Sequence, residues 1–149
     1  MHPALLHTHN LLRWVVLIAG VITLVQAFRG LDGSRPYAST RKIGLIFTSG
    51  LHVQLVIGLA LFVVSPFIQS AMSDMKATMA DRAVRFFVAE HPTLMVAAVV
   101  VATIGGIVAK NAANDAARHR KALVFTAVTL LLILVGIPWQ RPLMPGMGG

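Results

Sequence analysis

Apolar and polar positions in this chain fall into blocks. Four apolar stretches occupy approximately residues 9–29, 41–65, 90–110 and 121–139, and nearly all the charges sit between them or at their ends. A membrane-spanning helix needs about 20 mostly apolar residues, and each stretch is close to that length. None alternates over about 10 residues as a barrel strand would, so helices that satisfy their own backbone are expected. The first stretch has no basic leader segment and is followed by no small-residue cleavage pattern, which argues against a signal peptide. The pattern predicts an all-α fold: a transmembrane up-down four-helix bundle forming a single membrane domain over residues 1–149.

Composition supports this reading. Only 12% of residues are charged, about half the share usual in a soluble domain, and mean hydropathy is +0.77. A net charge of +8 would suit nucleic acid if it formed a patch, but here it flanks apolar segments. Arg29, Arg35, Arg41 and Lys42 precede the second stretch, and Lys110, Arg118, Arg120 and Lys121 precede the fourth. The positive-inside rule makes these two loops cytoplasmic and puts both termini outside, in the periplasm, with the protein in the bacterial inner membrane. The charge-balanced segment FIQSAMSDMKATMADRAVRFFVAEH would then lie outside and contain a short interfacial helix between helices 2 and 3. Its methionines Met72, Met75 and Met79 admit a copper site, but suit membrane-surface packing better. There is no cysteine, so disulfides, thiolate metal sites and covalently attached haem are excluded.

The informative polar residues are those inside the apolar stretches. Counting about 1.5 Å of rise per residue from each segment's midpoint, His9 lies about 15 Å outward on helix 1 and His91 about 14 Å outward on helix 3. The stripe through His91 continues as Met95, Ala98, Ala102, Gly105 and Ala109, small residues of the kind that let helices approach closely. The stripe through His9 carries Arg13, Val16 and Gly20. Both histidines are therefore expected to point into the bundle at one level. Such a pair could ligate the iron of one haem b, hold another metal, or simply hydrogen-bond at the headgroup boundary.

Around a haem, Arg13, Arg85 and Arg141 are the candidate propionate partners, Trp139 and Phe86 or Phe87 the flanking rings, and Glu90 an acceptor orienting a liganding imidazole. Glu90 could equally pair with Arg13 or Arg85. His7 and His52 are reserve ligands. His52 falls near mid-membrane, where it could serve as a proton relay, a quinone contact or a partner for a helix carbonyl. Gln54 lies on a different face of the same helix, so helix 2 should meet neighbours on two sides.

The segments LLHTHNLLRW, HVQLVIGLALF, VRFFVAEHPTLM and GIPW, in this order across nearly the whole chain, resemble those of small four-helix bacterial membrane proteins often labelled cytochrome b. That resemblance implies haem b binding and electron transfer, with the matching polar positions His7, His9, Arg13, His52, Gln54, Glu90, His91 and Trp139 and no assignment of which bind iron. The expected activity is at most that of an electron-transfer component, such as a small subunit of a redox complex. Expected partners are the lipid bilayer, a redox partner or quinone, and a larger membrane complex or homo-oligomer, but no nucleic acid. The alternatives are a cofactor-free structural or accessory subunit and a metal or proton transporter.

Overall fold

The structure, a computed structural model, describes residues 2–139. Arg141 lies outside them. The described chain is helical: α1 (His2–Arg29), α2 (Tyr37–Val64), α3 (Pro66–Ser73), α4 (Met75–Ala80), α5 (Arg82–Arg85), a π-helical turn (Phe86–Glu90), α6 (His91–Lys110) and α7 (Asp115–Gly136). Four helical segments, Pro3–Arg29, Tyr37–Val64, Arg82–Lys110 and Asp115–Gly136, are long and apolar enough to cross a membrane. This is the architecture of a multi-pass membrane protein.

All four spans begin before the apolar stretches do. The openings HPALLHT and DAARHRK carry polar residues yet are helical, because hydropathy marks the lipid-matched part of a helix and backbone hydrogen bonding does not stop there. Breaks fall where side chains enforce them. Pro36 precedes α2, and Ser65 is extended before Pro66, as a residue ahead of proline tends to be. Asp74, Asp81 and Asn114 cap α4, α5 and α7 by accepting from backbone amides.

The bundle runs in a ring: α1 against α2, α2 against α6, α6 against α7, and α7 against α1. Its central core is Val16, Ala19, Phe47, Leu51, Ala98, Val99, Ala102, Leu130, Ile133 and Ile137. The predicted small stripe on α6 is the buried one, with Ala98, Ala102, Gly105 and Ala109 all inward. Outward positions are strongly apolar and exposed, for example Leu11 at 61%, Val56 at 66%, Val63 at 70% and Leu131 at 62%. Such a surface suits hydrocarbon and would be an aggregation hazard in water.

His119 needs a correction. The sequence places it in a basic inner loop, but it is a buried residue of α7. Its Nε2 stands 3.1 Å from the Arg35 carbonyl, and its ring meets Tyr37 edge-on at 5.3 Å. The α1–α2 loop turns at Asp32–Ser34, where Ser34 donates twice to Asp32. Those two bonds hold the exposed Asp32 carboxyl below the usual carboxylate range. Gly33 takes a positive φ of 76°. The turn brings Gly30 so close to His119 that a Cβ there would collide with the imidazole. Gly30→Ala is therefore expected to lower stability by about 1–3 kcal/mol, as overpacking does. Thermal unfolding in detergent measures this, and Gly30→Ala combined with His119→Ala should recover part of the loss. An unchanged midpoint for the single variant would show that the ring can move aside.

Candidate functional site

The outer-level histidines meet. The rings of His9 and His91 have centroids 6.4 Å apart and lie nearly perpendicular, at 79°. α1 and α6 stand diagonally in the ring of helices, so the two rings meet across the bundle rather than between adjacent helices.

The π-turn accounts for the position of His91. Pro92 has no amide proton, and its ring would crowd the carbonyl of residue 88 in a regular helix. The chain widens instead, with the His91 amide donating to the Phe86 carbonyl five residues back. Single π-turns of this kind often occur at functional positions. The His91 ring is then oriented from α7: its Nδ1 lies 2.6 Å from the Gly136 carbonyl. A carbonyl only accepts, so Nδ1 carries the proton and Nε2 keeps its lone pair. A backbone acceptor that fixes a histidine tautomer in this way is a regular feature of metal-ligating imidazoles.

His9 is held differently. Gln54 on α2 donates from Nε2 to the His9 backbone carbonyl at 2.7 Å. Among the described residues, His9 Nδ1 and Gln54 Oε1 are buried without a hydrogen-bond partner. Leaving such an atom unsatisfied is costly, so His9 Nδ1 has an unused position for a partner, as has His119 Nδ1 at the opposite end of the bundle. The flanking helices approach closely at this level through glycines: on α7 a Cβ at Gly136 would collide with the Met95 side chain, and on α2 a Cβ at Gly58 would stand 3.4 Å from His9 Cε1.

These features fit one metal held between two imidazoles. Rings on opposite sides of a metal, each with a nitrogen about 2 Å from it, have centres about 6 Å apart. Among the described residues, no three or more His, Asp or Glu side chains converge to hold a metal. Two protein ligands suffice for a haem, whereas a structural zinc ion takes four ligands, almost always all from protein.

The other predicted residues divide. Arg13 is buried one turn from His9, with its guanidinium 5.9 Å from the Trp14 ring. Phe86 lies beside His91 at 6.2 Å, while Phe87 packs edge-on against Phe67. Glu90 pairs with Arg85 at 2.9 Å, and Arg85 also donates to the Met79 carbonyl. The His91 orienting role considered for Glu90 thus falls to the Gly136 carbonyl. Trp139 is exposed and donates to the Leu134 carbonyl.

His7 is exposed on α1. His52 is far from the pair: its Nδ1 lies 2.8 Å from the Thr48 carbonyl, and its Nε2 lies 3.3 Å from Thr103 Oγ1 on α6. Helix α2 thus meets α1 through Gln54 and α6 through His52. Reading the sequence missed the Gly136 carbonyl, because a main-chain acceptor leaves no side-chain signal. No family model matches the chain, and neither a curated protein nor a solved structure does.

Proposed function

We propose that this protein is a b-type haem-binding membrane protein acting in electron transfer, in which His9 and His91 would hold the iron of one haem near the outer end of the bundle. The observation carrying this reading is the pair itself: two inward imidazoles 6.4 Å apart, one of them fixed by the Gly136 carbonyl so that its Nε2 is available. When bound, haem b supplies a one-electron centre. The chain orients the ligands through Gly136 and Gln54, lines the site with Phe86, and places the Arg13 guanidinium one turn from His9, where a propionate could meet it. In this reading the site faces the periplasm, α3 to α5 lie along the outer membrane surface, and the basic loops face the cytoplasm of a bacterial inner membrane. The likeness of the four quoted sequence segments to proteins labelled cytochrome b supports the same reading.

The test is an absorption spectrum of protein purified in mild detergent after expression with haem supply. A Soret band with resolved α and β bands on reduction is expected, and a spectrum without haem bands would leave the cofactor-free accessory subunit as the better account. His52→Ala and His7→Ala are expected to leave the bands unchanged, since neither side chain reaches the pair. Loss of the bands in His52→Ala would overturn the ligand assignment. Transport through a path at His52 would instead predict lost flux with haem bands absent or untouched.

A further inference from the structure

A cleft of about 220 Å³ opens between α2 and α6 at the end of the bundle opposite the histidine pair. Its walls carry Gly44 and Thr48 on α2 and Thr103, Gly105 and Gly106 on α6, and Phe125 of α7 also lines it. The absent side chain at Gly106 leaves the slot open, since a Cβ there would meet nothing within 4 Å, whereas Gly105 is packed against Phe125. Arg41 and Lys110 line this cleft and also a broader hollow just outside it, shared with Asn111, Asp115 and Arg118. Asp115 is already paired with Arg118 at 3.1 Å. Arg41 and Lys110 are exposed, and among the described residues no hydrogen bond or ion pair engages either side chain. An apolar slot thus runs continuously into a mouth with two cations at the level where a lipid headgroup lies.

We infer that this cleft binds an anionic phospholipid, with an acyl chain in the glycine-lined slot between α2 and α6 and the phosphate at Arg41 and Lys110. Charge complementarity selects the occupant. A quinone fills the slot but brings no counter-charge, and a zwitterionic lipid brings a phosphate whose charge its own ammonium cancels, so an anionic lipid offsets the two cations best. Basic pockets between spanning helices on the cytoplasmic side are suited to anionic headgroups. The site is separate from the histidine pair and does not depend on haem.

The test is native mass spectrometry of the full chain in detergent, titrated with dioleoyl phosphatidylglycerol or dioleoyl phosphatidylcholine. Wild type is expected to retain the anionic lipid about tenfold better, since each surface cation adds to the attraction. Arg41→Gln with Lys110→Gln should remove the preference while leaving overall phosphatidylcholine retention in place. Neither residue has an internal partner, so the double variant should fold, as circular dichroism would verify. Gly106→Leu should lower retention of both lipids by filling the slot.

Equal retention of the two lipids by wild type would overturn the proposal, as would an unchanged preference in the double variant. Competition by inorganic phosphate at millimolar concentration would reassign the mouth to a free anion. Displacement by a short-chain ubiquinone would reassign the slot to a quinone.

Discussion

His91→Ala is expected to abolish haem retention, reducing it from about one haem per chain to near none. On the proposed ligation, the substitution removes one of the two imidazoles that would hold the iron, and it strands the Gly136 carbonyl, which the His91 ring now occupies at 2.6 Å. The fold should tolerate it, because α6 owes its position to the inward Ala98, Ala102, Gly105 and Ala109 lower down. The measurement is the ratio of Soret to protein absorbance after purification, with circular dichroism to verify helix content. His91→Met separates ligation from packing. A thioether can replace an imidazole at iron, and mixed histidine–methionine ligation raises the reduction potential. His91→Met is therefore expected to keep haem at a higher midpoint potential. Full haem content in His91→Ala, or an unshifted potential in His91→Met, would end the assignment of His91 as a ligand. The corresponding His9→Ala should lose haem as well, while Gln54→Ala, which removes only the donor to the His9 carbonyl, should weaken retention without abolishing it.

The meeting of His9 and His91 is legible in the sequence because helical rise is regular. Once the spans are found, counting residues from their midpoints sets depth, and the small-residue stripe sets facing. The same counting separates His52 from the pair. What lies beyond the sequence depends on neighbours distant along the chain. Pro92 signals an irregularity, but whether the helix stops or widens by one residue depends on what holds both sides of it, and here α5 and α6 remain one continuous rod through the π-turn. Gln54 reads only as a polar group that should avoid lipid; its partner, a carbonyl on α1, becomes visible when α1 and α2 are packed together. His119 looks like a loop residue among Arg118, Arg120 and Lys121. Its burial follows from the α1–α2 turn folding over it, an arrangement no local pattern encodes.

Gly105 and Gly106 are adjacent on α6, and their substitutions are expected to have opposite effects. Glycine in a helix interior costs about 1 kcal/mol relative to alanine, so propensity alone favours replacing either. At Gly106 a Cβ would stand in open space, and Gly106→Ala should leave the unfolding midpoint unchanged or raise it. At Gly105 a Cβ would collide with Phe125 Cβ and lie 2.7 Å from Phe125 Cγ. Phe125 Cβ is bonded directly to the α7 backbone and cannot swing away as the end of a long side chain could, so α6 and α7 must separate.

In lipid, helix association rests on close packing rather than on a hydrophobic drive, which makes separation at this contact especially damaging. Gly105→Val is expected to cost about 3 kcal/mol or more, at the upper end of overpacking effects, measured as a lowered thermal midpoint beside Gly106→Val. The damage should reach the histidine site, because α6 carries His91 and α7 carries the carbonyl that orients it. In haem-loaded protein, Gly105→Val should therefore lose haem on warming at a lower temperature than Gly106→Val. Equal midpoints for the two valine variants would show that the α6–α7 contact is not the tight seam described above.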